Sequence, residues 1–83
     1  MQREEALRLV QAEVIWATEH YPPIRSWHEG YAIILEELDE VWDEVRHRCK
    51  KTKKVQHELL QVAAMAIRTL IDVEGDTSIR HQS

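Results

Sequence analysis

The sequence predicts an all-α fold, an antiparallel bundle of about three main helices. Only two glycines and two prolines interrupt 83 residues, and the prolines stand together as Pro22–Pro23. Apolar residues recur at three- and four-residue steps over three long stretches, and no stretch alternates with the period of two that a strand requires.

The first helix runs from about Arg3 to His20, with Leu7, Val10, Val14, Ala17 and Tyr21 forming its apolar stripe. Pro22 and Pro23 end it, because the residue before a proline is pushed out of the helical region. Ser26-Trp27-His28-Glu29 has the form of a capping box, in which two side chains satisfy orphan backbone donors, so a second helix starts there and runs to about Arg48. Its seam is Tyr31, Leu35, Leu38, Trp42, Val45 and Cys49, widened by Ile34 and Val41, and the spacing predicts that this seam, Trp42 included, faces the core. CKKT, residues 49–52, is a short connection, which makes the flanking helices antiparallel neighbours, and Thr52 is the expected cap of the third.

The third helix spans about Lys53 to Val73 and is apolar on two sides. Val55, Leu59, Val62, Ala66, Thr69 and Val73 form one stripe, while Leu60, Ala64, Ile67 and Ile71 form another. Three helices cannot cover both, so the bundle is expected to be completed by oligomerisation. Gly75 is the expected stop, with residues 1–74 one helical domain and 75–83 a frayed tail.

Composition limits the function. A chain of 83 residues holds one domain with a thin core. No apolar run reaches a membrane span and no export signal opens the chain, so the expected address is cytoplasmic. A net charge of −4 without a basic stripe argues against a nucleic-acid polymer as partner. Cys49, the only cysteine, is expected to be a small buried apolar group. His57-Glu58-x-x-Gln61 starts like a zinc-protease HExxH helix but lacks the second histidine.

The chemistry concentrates in EELDEVWDEV, residues 36–45, whose six carboxylates account for the whole net charge. Projected at about 100° per residue, they separate. Glu37, Glu40 and Glu44 form a ridge with Ile33 beside Ile34 and Val41; Glu36, Asp39 and Asp43 point elsewhere, Asp39 and Asp43 to solvent. On the third helix Glu58, Gln61, Arg68 and Asp72 share one line with Met65, and Lys54 sits one turn before Glu58. Antiparallel pairing sets Glu37 and Glu40 against Glu58 and Gln61. Three carboxylates and one amide oxygen are hard ligands suited to Mg²⁺ or Mn²⁺, with Glu44 as a possible extra. The plainer reading of Lys54 with Glu58 is a helix ion pair, and Arg68 with Asp72 has the i, i+4 spacing of a salt bridge.

Glu36-Glu37-x-x-Glu40, eighteen residues before Glu58-x-x-Gln61, resembles the EExxE…ExxD signature of the MazG-like all-α nucleoside triphosphate pyrophosphohydrolases. HEGYAIILEELDEVWDEV followed by ELLQVAAMAIR looks like small single-domain members, and the resemblance covers about residues 26–73. It implies a homodimer or homotetramer in which Mg²⁺ on the acidic helices binds a (d)NTP and activates water, giving (d)NMP and pyrophosphate. Carried over by position, Glu37, Glu40 and Glu58 are metal ligands, and Gln61 stands where the motif has aspartate; for the site this implies, Glu37 and Glu40 are the candidates for the base, Lys54 and Arg68 for phosphate contacts, and Trp27 and Tyr31 for flanking a nucleobase. That departure keeps an alternative in view: a non-catalytic helical oligomer that binds nucleotide or a protein partner.

Overall fold

The computed structural model of the chain describes residues 1–47 and 52–73. They form α1 over Arg3–His20, α2 over Trp27–Arg46 and α3 over Thr52–Asp72. Among the described residues there is no strand, and no helix is long and apolar enough to cross a membrane. The expectations for Cys49, for the 49–52 connection with the Thr52 side chain, and for Gly75 and the tail fall outside the described residues.

Local chemistry sets the ends of α1 and α2. Tyr21 leaves α1 with extended backbone, φ −126° and ψ 151°, while its N–H still donates to Ala17 O at 2.9 Å. Ser26 caps α2, its Oγ accepting from the Glu29 N–H at 3.0 Å. The Glu29 carboxylate reaches back to the Arg25 N–H at 2.9 Å and to the Arg25 guanidinium at 3.3 Å. The backbone donor, above all, holds the Glu29 carboxyl below its usual range.

α3 lies in the middle, packing on both α1 and α2, which do not pack on each other. The α2–α3 pair is antiparallel: Lys54 meets Glu44, Glu58 meets Glu37, and Thr69 meets Gly30. α1 runs parallel to α3, with Glu5 and Leu9 beside Gln56 and Leu60 at one end and Ala17 against Ala64 and Met65 at the other. The apolar core is small, as the chain length predicts: Ala17, Ile24, Ala64 and Met65 are buried, and Val14, Ile33 and Ile34 pack around them.

The α2 seam turns out to face the other way. Tyr31, Leu35, Leu38, Trp42 and Val45 are exposed, Tyr31 at 66% and Trp42 at 61%. The face on α3 is Gly30, Ile33, Ile34, Glu37, Val41 and Glu44, all buried or half-buried. Gly30 explains the rotation. A Cβ there would stand 2.5 Å from Thr69 Cγ2 and 2.6 Å from Thr69 Oγ1, so the helices approach more closely on this side than a larger residue allows. α1 and α3 also expose parts of their stripes, Leu7 and Tyr21 on the first and Leu59, Ile67 and Ile71 on the third, and Leu70, in neither stripe, is exposed beside them.

The polar line of α3, by contrast, turns inward. Arg68 is 3% exposed and clamps the α1–α2 loop. One guanidinium nitrogen, Nη2, donates to Pro22 O at 3.0 Å and to Asp72 Oδ2 at 3.4 Å, and the same Asp72 oxygen accepts the Ile24 N–H at 3.0 Å. Thr69 Oγ1 donates to Met65 O at 2.8 Å, which fixes its buried side chain against Gly30.

Gly30→Ala tests the close approach. Alanine gains about 1 kcal/mol of helix propensity over glycine, whereas overpacking a stiff buried neighbour costs about 1–3 kcal/mol. At 2.5 Å the clash wins, so urea melts of the variant should show a net loss, and adding Thr69→Ala should recover most of it. An unchanged or raised midpoint for the single variant would show that the helices are not this close.

Candidate functional site

The approach at Gly30 carries the acidic ridge of α2 onto α3 two turns further along. Glu37, Glu40 and Glu58 each present one carboxylate oxygen, and these atoms all lie within 4.8 Å of one another. Glu37 and Glu58 are half-buried and Glu40 is exposed. Glu37 Oε2 and Glu58 Oε2 are both buried without any hydrogen-bond partner. Buried polar atoms are nearly always paired, and an orphan oxygen on a carboxylate beside two others is costly.

The charges respond accordingly. Burial, then the charges of Glu40 and Glu58, a hydrogen bond with Glu40 and the charge of Glu36 push the Glu37 carboxyl up to about 7. Glu58 is raised as well, by burial and then by Glu40, with the positive potential of His57 and Lys54 opposing. This donor set fits a hard divalent cation: it is all oxygen, clustered, and destabilised by the same repulsion that a cation removes.

The other candidates divide. Glu44, the proposed extra ligand, pairs with Lys54 Nζ at 3.1 Å across α2 and α3, so Lys54 meets Glu44 as well as lying one turn from Glu58. Arg68 is committed to Pro22 and Asp72, and its buried Nε has no partner. Asp39, Asp43 and Glu36 are exposed, and Asp43 pairs with Arg46 at 3.2 Å. Gln61 lies one turn after Glu58, half-buried, with its Nε2 3.2 Å from His57 Nε2.

Beside the carboxylates opens a cleft of about 810 Å³ between α1, the α1–α2 loop and α3. Glu37, Gln61 and Arg68 lie on its α2 and α3 walls; Trp16, Tyr21 and Pro22 line the opposite wall. Trp16 stacks on His20, centroids 4.0 Å apart and 15° from coplanar, and meets Tyr21 edge-on at 5.7 Å. Trp27 and Tyr31 are exposed on α2 and do not line this cleft. Trp16 and Tyr21 are the aromatic residues that motif reasoning passed over; the signal for them is their place near the end of α1 and just after it, before Pro22–Pro23.

Comparison of the chain with protein-family models, with curated proteins and with solved structures returns no match.

The raised Glu37 pKa fixes the sign of a pH effect. Because its carboxyl titrates near 7 in the folded chain and at about 4.5 when unfolded, its contribution to stability is full below 4.5 and is lost as pH rises through 7. The cation-free protein should therefore melt lower at pH 8 than at pH 5.5. Glu37→Gln, neutral at every pH, should raise the pH 8 melting temperature by about 5 °C, the shift expected for roughly 1 kcal/mol in a domain of this size. Loss of stability in the variant at pH 8 would show that Glu37 is not a desolvated charge.

Proposed function

We propose that the protein is a Mg²⁺-dependent nucleoside triphosphate pyrophosphohydrolase of the MazG-like kind, with Mn²⁺ as a substitute, converting a (d)NTP to (d)NMP and pyrophosphate. The observation that carries this reading is the convergence of Glu37, Glu40 and Glu58, two of them with orphan buried oxygens, beside a cleft of about 810 Å³. That volume falls within the range of about 300–1,000 Å³ typical of small-molecule sites.

Bound Mg²⁺ supplies neutralisation of phosphoryl charge and a lowered pKa for water. Glu37, Glu40 and Glu58 would hold the cation, with Gln61 offering an amide oxygen as the fourth ligand. In the reaction a water oxygen bonds to the α-phosphorus while the α–β bridging P–O bond breaks, and pyrophosphate leaves with the electron pair. The water proton passes to a carboxylate, Glu37 or Glu40. The base enters the cleft against Trp16 and Tyr21, and the phosphates extend toward Lys54, whose ammonium is half-exposed beside Glu44.

Self-association belongs to the same reading. Tyr31, Leu38 and Trp42 on α2, with Leu70 and Ile71 on α3, leave large apolar side chains open to solvent, and a second copy covers them. A non-catalytic, nucleotide-binding oligomer is the second reading, favoured by Gln61, whose amide carries no charge and takes no proton.

Pyrophosphate release from a panel of (d)NTPs, with and without Mg²⁺, separates the two; nucleotide binding without release on any member would sink the enzyme reading. Glu40→Gln and Glu58→Gln should each abolish Mg²⁺-linked thermal stabilisation, while Asp43→Asn, on a solvent-facing ion pair, should leave it intact. Equal effects of all three would mean that the face is merely charged. Light scattering at micromolar concentration should give a dimer or larger, and Trp42→Glu should dissociate it; a monomeric wild type would refute self-association.

A further inference from the structure

The loop between α1 and α2 is held by very little. Of residues 21–25 only Ile24 is buried, at 2% exposed, while Tyr21, Pro22, Pro23 and Arg25 are exposed. Pro22 and Pro23 have no N–H to donate. Among the described residues, two hydrogen bonds tie this loop to α3, and both end on one ion pair. Arg68 Nη2 donates to Pro22 O at 3.0 Å, and Asp72 Oδ2 accepts from the Ile24 N–H at 3.0 Å. α1 and α2 make no packing contact with each other that would hold the loop from its far side.

The ion pair itself is incompletely satisfied. Arg68 reaches Asp72 through Nη2 alone, at 3.4 Å, with the same nitrogen that holds Pro22, instead of through the two parallel donors of a fork. Its Nε is buried without a partner, in a residue that is 3% exposed. Leaving a charged donor unpaired in the interior costs more than an average hydrogen bond gains. Two opposed contributions therefore act on the loop. The Ile24 side chain and the two bonds hold it on α3, while the orphan nitrogen favours a state in which water reaches Arg68.

Position gives this balance a consequence. Tyr21, Pro22, Pro23, Ile24 and Arg25 all line the cleft, and so does Arg68. Two consecutive prolines fix φ and stiffen the segment, so it lifts as one piece and does not fray residue by residue. We propose that the α1–α2 loop is a strap along the cleft, latched to α3 by Arg68 and Asp72 and released as a unit, so that the latch sets the width of the cleft mouth. Arg68 acts there as a positioning residue, through Pro22 and Asp72. The core of Ala17, Ala64 and Met65 belongs to α1 and α3 and stays packed when the strap lifts. This holds whatever ligand the cleft takes.

Hydrogen exchange of the full chain, read by NMR at each amide and corrected for intrinsic rates, tests the latch without a ligand. Ala64, fully buried in α3, reports global unfolding, and Ile24 reports the strap. In the wild type Ile24 should be protected yet exchange at least about tenfold faster than Ala64, as locally opening segments do. Exchange at the Ala64 rate would mean that the strap opens only with the whole fold, and no protection at Ile24 that it is never latched; either overturns the proposal. Arg68→Met removes the bond to Pro22 and leaves Asp72 free to accept from Ile24. A strap that moves as a unit should then exchange at Ile24 about tenfold faster relative to Ala64, the lower end of what one charged hydrogen bond supplies. An unchanged or slower ratio would show two independent contacts and no latch. Trp16 meets Tyr21 edge-on at 5.7 Å, and in a Trp27→Phe/Trp42→Phe background acrylamide should quench it more strongly once Arg68→Met is added. Unchanged quenching beside a faster Ile24 would remove the latch's hold on the cleft. Should Arg68→Met fail to fold, Asp72→Asn keeps an acceptor for Ile24, loses the charge opposite Arg68, and carries the same expected and refuting results.

Discussion

The contact on which the rest of the molecule depends is the one between Gly30 and Thr69. Where a side chain would normally separate α2 from α3, the two helices approach until an added Cβ would fall 2.5 Å from Thr69 Cγ2. Thr69 is buried and held by its hydroxyl on Met65 O, so it cannot swing away. Because both helices are rigid and antiparallel, fixing the register at this point fixes it everywhere along the pair. From this point Glu37 lies seven residues along α2 and Glu58 eleven along α3, an offset of about one helical turn that the long glutamate side chains span to bring their oxygens together. The carboxylates converge because packing elsewhere leaves them no other position.

The same contact decides which face of α2 is inside. Hydrophobic burial alone would favour the Tyr31–Leu35–Leu38–Trp42–Val45 stripe, worth roughly 1.5–3 kcal/mol for each large side chain fully covered. α3 instead receives Gly30, two isoleucines, Val41 and two glutamates. Within one chain this exchange is unfavourable, and it becomes reasonable when the outward stripe is buried against another copy. Site and proposed assembly therefore share an origin: turning the acids toward α3 turns the aromatics toward solvent.

This rotation marks the limit of what was legible in the sequence. Helix ends were readable because prolines, the Ser26 cap and apolar periodicity act locally. The pairing of Glu37 and Glu40 with Glu58 was readable because a short connection forces antiparallel neighbours. The packed face of α2 was not, since periodicity ranks residues by apolarity, and a glycine that lets two backbones close adds nothing to an apolar stripe. Arg68 shows a second limit. Its pairing with Asp72 follows from spacing on one helix, but its bond to Pro22 O joins positions 46 residues apart and exists only once the chain has folded. Trp16 and Tyr21 reach the cleft through the same loop, so no motif on α2 or α3 pointed to them.

Gln61 is best understood through the energetics that the register imposes. Every carboxylate added to this cluster strengthens a cation's hold and weakens the cation-free fold, because like charges in a partly desolvated space raise one another's pKa, as Glu37 and Glu58 already do. A small core of Ala17, Ile24, Ala64 and Met65 leaves little stability to offset a fourth negative charge. An amide at position 61 adds no such charge. What it gives up is symmetry: a carboxylate coordinates whichever way it turns, whereas an amide coordinates in only one orientation.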